Sequence, residues 1–339
     1  YLQQGFNLQW LSVLVGLLIA TGGIVSAATM ARGFAAYFNV FLSWPAVLIM
    51  ALLIVILALV SIWDITKAVA IAALFTILEI LGLCIIIGVG ADKLSALPQR
   101  LPELIPAADF VVWQGIFLGA FLAFYAYIGF EDMVNVAEEV KSPRKTIPRG
   151  IVLTIILATF FYMLIAIIAV LAVPIEQLAD SDAPLAMIYQ QSTGNKPVII
   201  SLLGMFAITN GILIQIIMAS RILYGMSKEG WLPSILGRLH PGTRTPIISS
   251  TLVAGIILLL AASLPLESLA KATSYIVLIV FTLVNMALIL IKRRDPRPRG
   301  VTLFPMWLPV SGLLLCLSLI AVEIYANISS WAFTPTPFH

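Results

Sequence analysis

Two carboxylates appear where a membrane helix should still be running. The stretch Phe121-Leu-Ala-Phe-Tyr-Ala-Tyr-Ile-Gly-Phe-Glu-Asp132 begins as an apolar segment and reaches Glu131 and Asp132 before the span is complete. A bare charge at membrane depth costs on the order of 3 kcal/mol on insertion scales. The cost disappears if the helix breaks near Ala126–Phe130 and restarts at Glu131, which puts both acids in a first turn favoured by the helix dipole. Unwound backbone at such a break offers amides and carbonyls that hold a charged small molecule without a charged side chain. The carbonyls from Ala126 to Ile128 suit an α-amino group, and Tyr125 and Tyr127 can close over the ligand as an aromatic lid. The candidate binding segment is therefore Phe124, Tyr125, Ala126, Tyr127, Ile128 and Gly129. The plainer alternative is that these aromatics fill packing space. Gly115, Gly119 and Ala123, at four-residue spacing, give the same helix a face narrow enough for close approach of another.

Glu79 is a second chemical candidate. It follows Lys67 by twelve residues, or about 18 Å of helix, which is membrane depth. An intramembrane carboxyl points to proton carriage; the competing readings are a protonated Glu bonded to a neighbouring helix and a lipid-facing residue. Glu131 has two readings as well, a proton or substrate carboxyl and a cap for the second half-helix. Glu138 and Glu139, opposite Lys141, Arg144 and Lys145, suit a salt-bridge cluster at the membrane edge. Other chemistries find no support. The only histidines, His240 and His339, form no metal motif, so no metal or other cofactor is expected. Cys84 and Cys316 lie in separate apolar runs. No phosphate-cradling loop or serine nucleophile elbow is present, which argues against ATP-driven work and hydrolysis. A membrane-embedded enzyme would need more ionisable groups at mutual reach than these carboxyls supply. The basic run Lys292–Arg299 needs no nucleic-acid or specific lipid partner, because membrane topology explains it.

The elements that carry these residues are membrane helices. Of 339 residues, 61% are hydrophobic and 10% charged, with mean hydropathy +1.08; a soluble chain carries about 25% charged residues. Nine apolar runs are long enough to span a bilayer: 8–36, 45–62, 66–90, 111–140 (broken), 148–174, 196–226, 246–263, 267–291 and 305–325. None alternates with period two, so they are helices and not barrel strands. Connections 61–67, 141–149, 226–246 and 292–299 carry one, four, three and five basic residues, and Arg221 lies beside them. The opposite loops are read as holding Lys93, Arg100, Lys196 and Lys271, with Arg32 near an outer helix end. That asymmetry predicts a cytoplasmic start and an outside end. The outer connections 92–110 and 174–184 are expected to hold short surface helices. Asn327-Ile-Ser329 matches a glycosylation sequon, a pattern common by chance. With Tyr1 at its start, the chain is expected to be a fragment.

Two motifs bring a resemblance. Phe124-Tyr-Ala-Tyr-Ile-Gly-Phe-Glu-Asp132 with Ala137-Glu-Glu-Val-Lys-Ser-Pro-Arg-Lys-Thr-Ile-Pro-Arg149 resembles the sixth helix and following loop of amino acid–polyamine–organocation (APC) transporters. Ala219-Ser-Arg-Ile-Leu-Tyr-Gly-Met-Ser-Lys-Glu-Gly-Trp-Leu-Pro233, with His240-Pro and Arg244-Thr-Pro246, resembles the end of that family's eighth helix and its cytoplasmic loop. The branch it is most similar to is the cationic amino acid transporters. The resemblance implies an all-α membrane protein with the LeuT-like inverted-repeat fold. Its nine helices correspond to helices three to eleven of twelve, the first two and the last being absent. Residues 1–90 would be the rest of the first repeat, 91–110 an extracellular loop, 111–291 the second repeat, and 292–339 a basic loop, one further helix and a tail. It implies amino acid transport by alternating access in a cell (plasma or inner) membrane, with amino acids, protons and lipid as partners. Proton symport, amino acid exchange and a non-transporting sensor or partner subunit stay open, and no oligomeric state is implied. The gate would fall on Tyr125, with backbone contacts at Ala126 and Ile128. Ser26 and Asn210 would line the cavity from the third and eighth helices, interhelical hydrogen bonding being the equal alternative. Relatives often place a Lys where this chain has Glu79, so that lysine's role does not carry over.

Overall fold

The computed structural model describes residues 5–63, 65–134, 140–296 and 304–333. Among them every regular element is helical. The apolar runs become α1 (Gln9–Phe38), α2 (Ala46–Trp63), α3 (Ile65–Gly90), α5 (Phe110–Phe124), α6 (Pro143–Ala172), α9 (Val198–Lys228), α10 (Ile247–Ser263), α11 (Leu266–Arg294) and α12 (Trp307–Phe333). Between them lie the short helices α4 (Leu97–Leu104) and α7 (Ile175–Ala179), in the connections where short surface helices are expected, and α8 (Pro184–Thr193), which lies beyond them and buries Ala186 and Ile188. Seven helices are long and apolar enough to cross a membrane, and α2 and α10 are shorter apolar ones. Helices α2, α5 and α10 are apolar on nearly every side, as suits a helix in lipid. Proline marks several starts, standing first in α6 and α8 and just before α9 and α10. There its missing N–H is no loss.

The chain divides into two compact units. The first comprises 1–22, 106–148 and 270–339. Its core holds Leu11 and Val15 of α1 against Val280 and Ala287 of α11, and Phe121 of α5 against Leu278 of α11 and Cys316 of α12.

The second unit comprises 23–105 and 149–269, and α9 packs there against α2, α3, α8 and α10. The later part of α1 runs antiparallel to α9 along a seam of glycines. Gly33 faces Ile208, Gly211 faces Met30, and Gly204 faces Tyr37. A side chain in place of these hydrogens would push the helices apart. A second cluster joins Ile86 of α3, Ile168 of α6, Ile188 of α8 and Ile200 of α9, with Gly90 pressed against Ile168. The end of α9 is sealed by Gly230 at φ +78°, with the Trp231 N–H donating to the Met226 carbonyl at 2.9 Å, a left-handed cap that only glycine adopts cheaply. The loop beyond is tied down by three hydroxyls. Ser227 donates to the Pro233 carbonyl, Ser249 to that of Leu236, and Thr245 to that of Ile62 at the end of α2.

Two expectations change, at the glycines of α5 and at Lys271. Gly115 and Gly119 meet nothing within 4 Å, so among the described residues no helix fills the narrow face of α5. Four-residue spacing makes a face narrow; it does not supply the partner. Asn327 lies inside α12, its amide reaching the Tyr275 hydroxyl at 3.5 Å, and a helix is a poor setting for a glycosylation acceptor. Lys271, placed above in a connection, stands within α11. Glu138 and Glu139 lie outside the described residues.

Candidate functional site

The broken stretch starts from a firm end. Asp109 caps α5, its carboxylate accepting from the Val111 N–H at 2.7 Å and the Val112 N–H at 3.2 Å, so two of the helix's orphan donors are satisfied. The α-helix runs to Phe124 and then tightens into a 3₁₀ turn at Tyr125–Tyr127. Ile128 is extended, at φ −65° and ψ 136°, and Gly129 turns to φ +125°. A second 3₁₀ segment, Phe130–Val134, follows. No atom lies within 4 Å of where a Cβ on Gly129 would stand. Glycine is needed here for its backbone and not for room, because L side chains avoid that conformation.

Polar groups freed by the break are partly reused inside it. The Ile128 N–H donates to the Tyr125 carbonyl at 3.2 Å, and the Asp132 N–H to the Gly129 carbonyl at 3.2 Å. Glu131 Oε2 accepts from the Gly129 N–H at 2.8 Å. Glu131 thus ties the second segment back across the turn, and with Asp132 it occupies that segment's first turn.

Phe281 of α11 holds both sides of the break. Phe124 meets it edge-on at 6.0 Å, and Phe130 meets it at 5.7 Å. One turn earlier, the fully buried Phe121 packs on Tyr275 at 4.8 Å. Aromatic pairs of this kind contribute about 0.5–1.5 kcal/mol each beyond area burial. Tyr125, Tyr127, Ile128 and Gly129 are half-buried, and Ala126 is exposed. The arrangement is a kinked, polar backbone segment on an aromatic support, able to present carbonyl dipoles to a small cation or zwitterion.

The first unit therefore gathers Phe124, Tyr125, Ala126, Tyr127, Ile128, Gly129 and Glu131. Ser26, Asn210 and Glu79 belong to the second. Ser26 and Asn210 are buried in the helices that form the glycine seam. The register of that seam sets Ser26 level with Gln215, and Asn210 level with Ala31. Glu79 is exposed on α3, at the edge of a cavity of about 200 Å³ that Tyr37, Gly82, Leu203 and Gly204 also line.

Sequence reading passed over Glu323. It is 2% exposed and paired with Lys271 of α11, Oε1 to Nζ 3.4 Å. The apolar run ends near Tyr325, which set Glu323 at a margin. The candidate span runs on to Ile328 and the helix to Phe333, which carries Glu323 about 7 Å inside the span. An Asp or Glu anywhere within a helical-length run, and not only at its centre, was the available signal.

Comparison with known proteins completes the picture. The chain is 29% identical over 254 residues to the branched-chain amino acid permease BcaP of Bacillus subtilis (strain 168), covering 73% of this chain and 52% of that protein. It is 28% identical over 222 residues to the methylthioribose transporter of the same organism, covering 65% and 46%. To the mitochondrial cationic amino acid transporter 3 of Arabidopsis thaliana it is 31% identical over 182 residues, covering 53% and 29%. The chain spans about half the length of the curated bacterial relatives it matches. The Amino acid permease family profile matches residues 1–338. With its all-helical architecture of membrane-length segments and its place among transporters, not enzymes, the chain belongs to the amino acid permease family.

Proposed function

We propose that the whole protein is a secondary transporter of amino acids, working by alternating access with protons as the coupling ion. The observation that carries this reading is the break at Tyr125–Phe130, where Gly129 stands at φ +125° and Phe281 supports both flanks. Backbone around Ala126–Ile128 receives the α-amino group, Tyr125 and Tyr127 form the lid, and Phe124 steadies the segment against Phe281. Ser26 and Asn210 are the candidate lining residues of the second unit. Glu79 and Glu131 are the coupling carboxyls. Helices three to five of the first inverted repeat fall at 1–90 and the second repeat at 111–291, and the basic connections face the cytoplasm of a cell membrane. Names of the relatives favour a branched-chain or cationic amino acid as cargo.

The test is uptake of a radiolabelled amino acid panel into proteoliposomes holding the full-length protein, with and without an inward proton gradient. Gradient-driven accumulation supports symport. Uptake only against a preloaded internal amino acid makes the protein an exchanger. No uptake of any amino acid sinks the assignment, and the sensor reading takes its place. Under symport, Glu79→Gln should abolish accumulation while leaving binding; unchanged accumulation returns Glu79 to a passive role.

A further inference from the structure

Every charged side chain inside a membrane helix has to be accounted for, and Glu323 is the most buried of them among the described residues. Cys316, Leu319, Ile320 and Glu323 occupy one face of α12, turned toward α5 and α11, while Leu314, Leu315, Leu317 and Ile324 point outward. Glu323 Oε1 lies 3.4 Å from Lys271 Nζ, and Oε2 has no hydrogen-bond partner at all. The pair is asymmetric. The carboxylate is sealed in protein, but the lysine is 35% exposed and keeps access to the surroundings.

A structural ion pair is expected to satisfy all its acceptors, because each unmet one costs about 1–3 kcal/mol, more for a charge. Glu323 leaves one open, and only a single cation holds its charge. Tyr275 of α11 lies beside it, Glu267 stands one turn before Lys271 on the same helix, and α5 carries no titratable group between Phe110 and Phe124. Tyr275 also provides the link to the break. Its ring packs on Phe121 of α5 and its hydroxyl receives the Asn327 amide of α12. Phe121 stands one turn, about 6 Å, before Tyr125.

We propose that the Lys271–Glu323 pair is a proton-exchanging site that reports its charge state to the binding break through Tyr275 and Phe121. This rests on the transport reading above. The step is simple. A hydronium ion on the Lys271 side gives a proton to a Glu323 oxygen: one O–H bond of the hydronium breaks, one O–H bond forms on the carboxyl, and a water molecule is left. Lys271 keeps its charge, loses this ionic contact and turns toward solvent. Neutral Glu323 no longer anchors α12 to α11, and Tyr275, held between Asn327 and Phe121, is free to shift the first half of the broken helix.

The experiment compares wild type, Glu323→Gln, Lys271→Met and Glu323→Asp in the full-length protein in proteoliposomes. An inward gradient of one pH unit can drive about tenfold accumulation per coupled proton. Wild type should approach that value. Glu323→Gln and Lys271→Met should stay near onefold while still exchanging internal for external amino acid at a rate that no longer varies with pH. Glu323→Asp should restore part of the drive. Glu323→Gln that accumulates like wild type overturns the proposal. So does wild type that exchanges amino acids but ignores the gradient. Wild type that moves no amino acid defeats the transport reading instead. If Glu323→Gln does not reach the membrane folded, Lys271→Met decides alone, and tenfold accumulation by it is equally fatal.

Discussion

The seam between α1 and α9 and the break after α5 both depend on glycine, for opposite reasons. At the seam, Gly204 and Gly211 sit against Tyr37 and Met30; missing side chains let two helices touch. At the break, Gly129 has open space around it and an unusual φ; a missing side chain lets the backbone turn. One use makes a rigid contact and the other makes a joint. A glycine in a membrane helix thus tells nothing until its neighbours and its dihedral are known.

Substitutions separate the two uses. The largest effect on function is expected at Gly129→Ala, where holding alanine in that conformation costs about 1–3 kcal/mol. Uptake should fall at least about tenfold, while circular dichroism keeps its helical signal; normal uptake would show that the kink is dispensable. Gly90→Val is the opposite case. A Cβ there runs into buried Ile168, and overpacking of this kind costs about 1–3 kcal/mol. Its thermal midpoint in detergent should drop while the Michaelis constant of the surviving protein is unaltered. A selective change in affinity would contradict the division of labour. Phe281→Ala removes the shared support of the break, two aromatic contacts of about 0.5–1.5 kcal/mol each. We expect weaker substrate binding, by about fivefold or more, with a smaller loss of stability. Thr245→Val deletes the tie to the Ile62 carbonyl and should lower stability by about 1 kcal/mol, with binding unaffected. Smallest is Gly119→Ala, which meets only open space and gains helix propensity. Its stability should stay level or rise by up to about 1 kcal/mol, and a fall would reveal a partner seated on that face.

Much of this architecture is legible in the amino acids alone. The run 196–226 becomes Val198–Lys228 and the run 246–263 becomes Ile247–Ser263, because hydrocarbon thickness fixes the length of a span. The kink was readable too, since Gly129 beside two acids leaves a continuous helix no way to hide their charge. Partnerships between helices were less accessible. Gly115 and Gly119 announce a narrow face and find nothing on it, whereas the seam glycines escaped notice, because what matters is the helix opposite. Lys271 and Glu323 stand 52 positions apart, and no local pattern connects them. Pairing across helices is a property of the packed state.

If the proposed transport reading holds, the hydrogen bond from the Gly129 amide to Glu131 bears on the half of the cycle in which the carrier travels unloaded. A binding pocket that relied on a naked carboxylate would have to be rehydrated or neutralised each time its cargo departed, and the vacant form would stall. Here that acid takes a hydrogen bond within its own turn, and carbonyl dipoles meet the ligand. On the proposed reading the vacant form keeps one of its acid's contacts and can neutralise the rest by taking up a proton, so the return stroke does not wait for cargo.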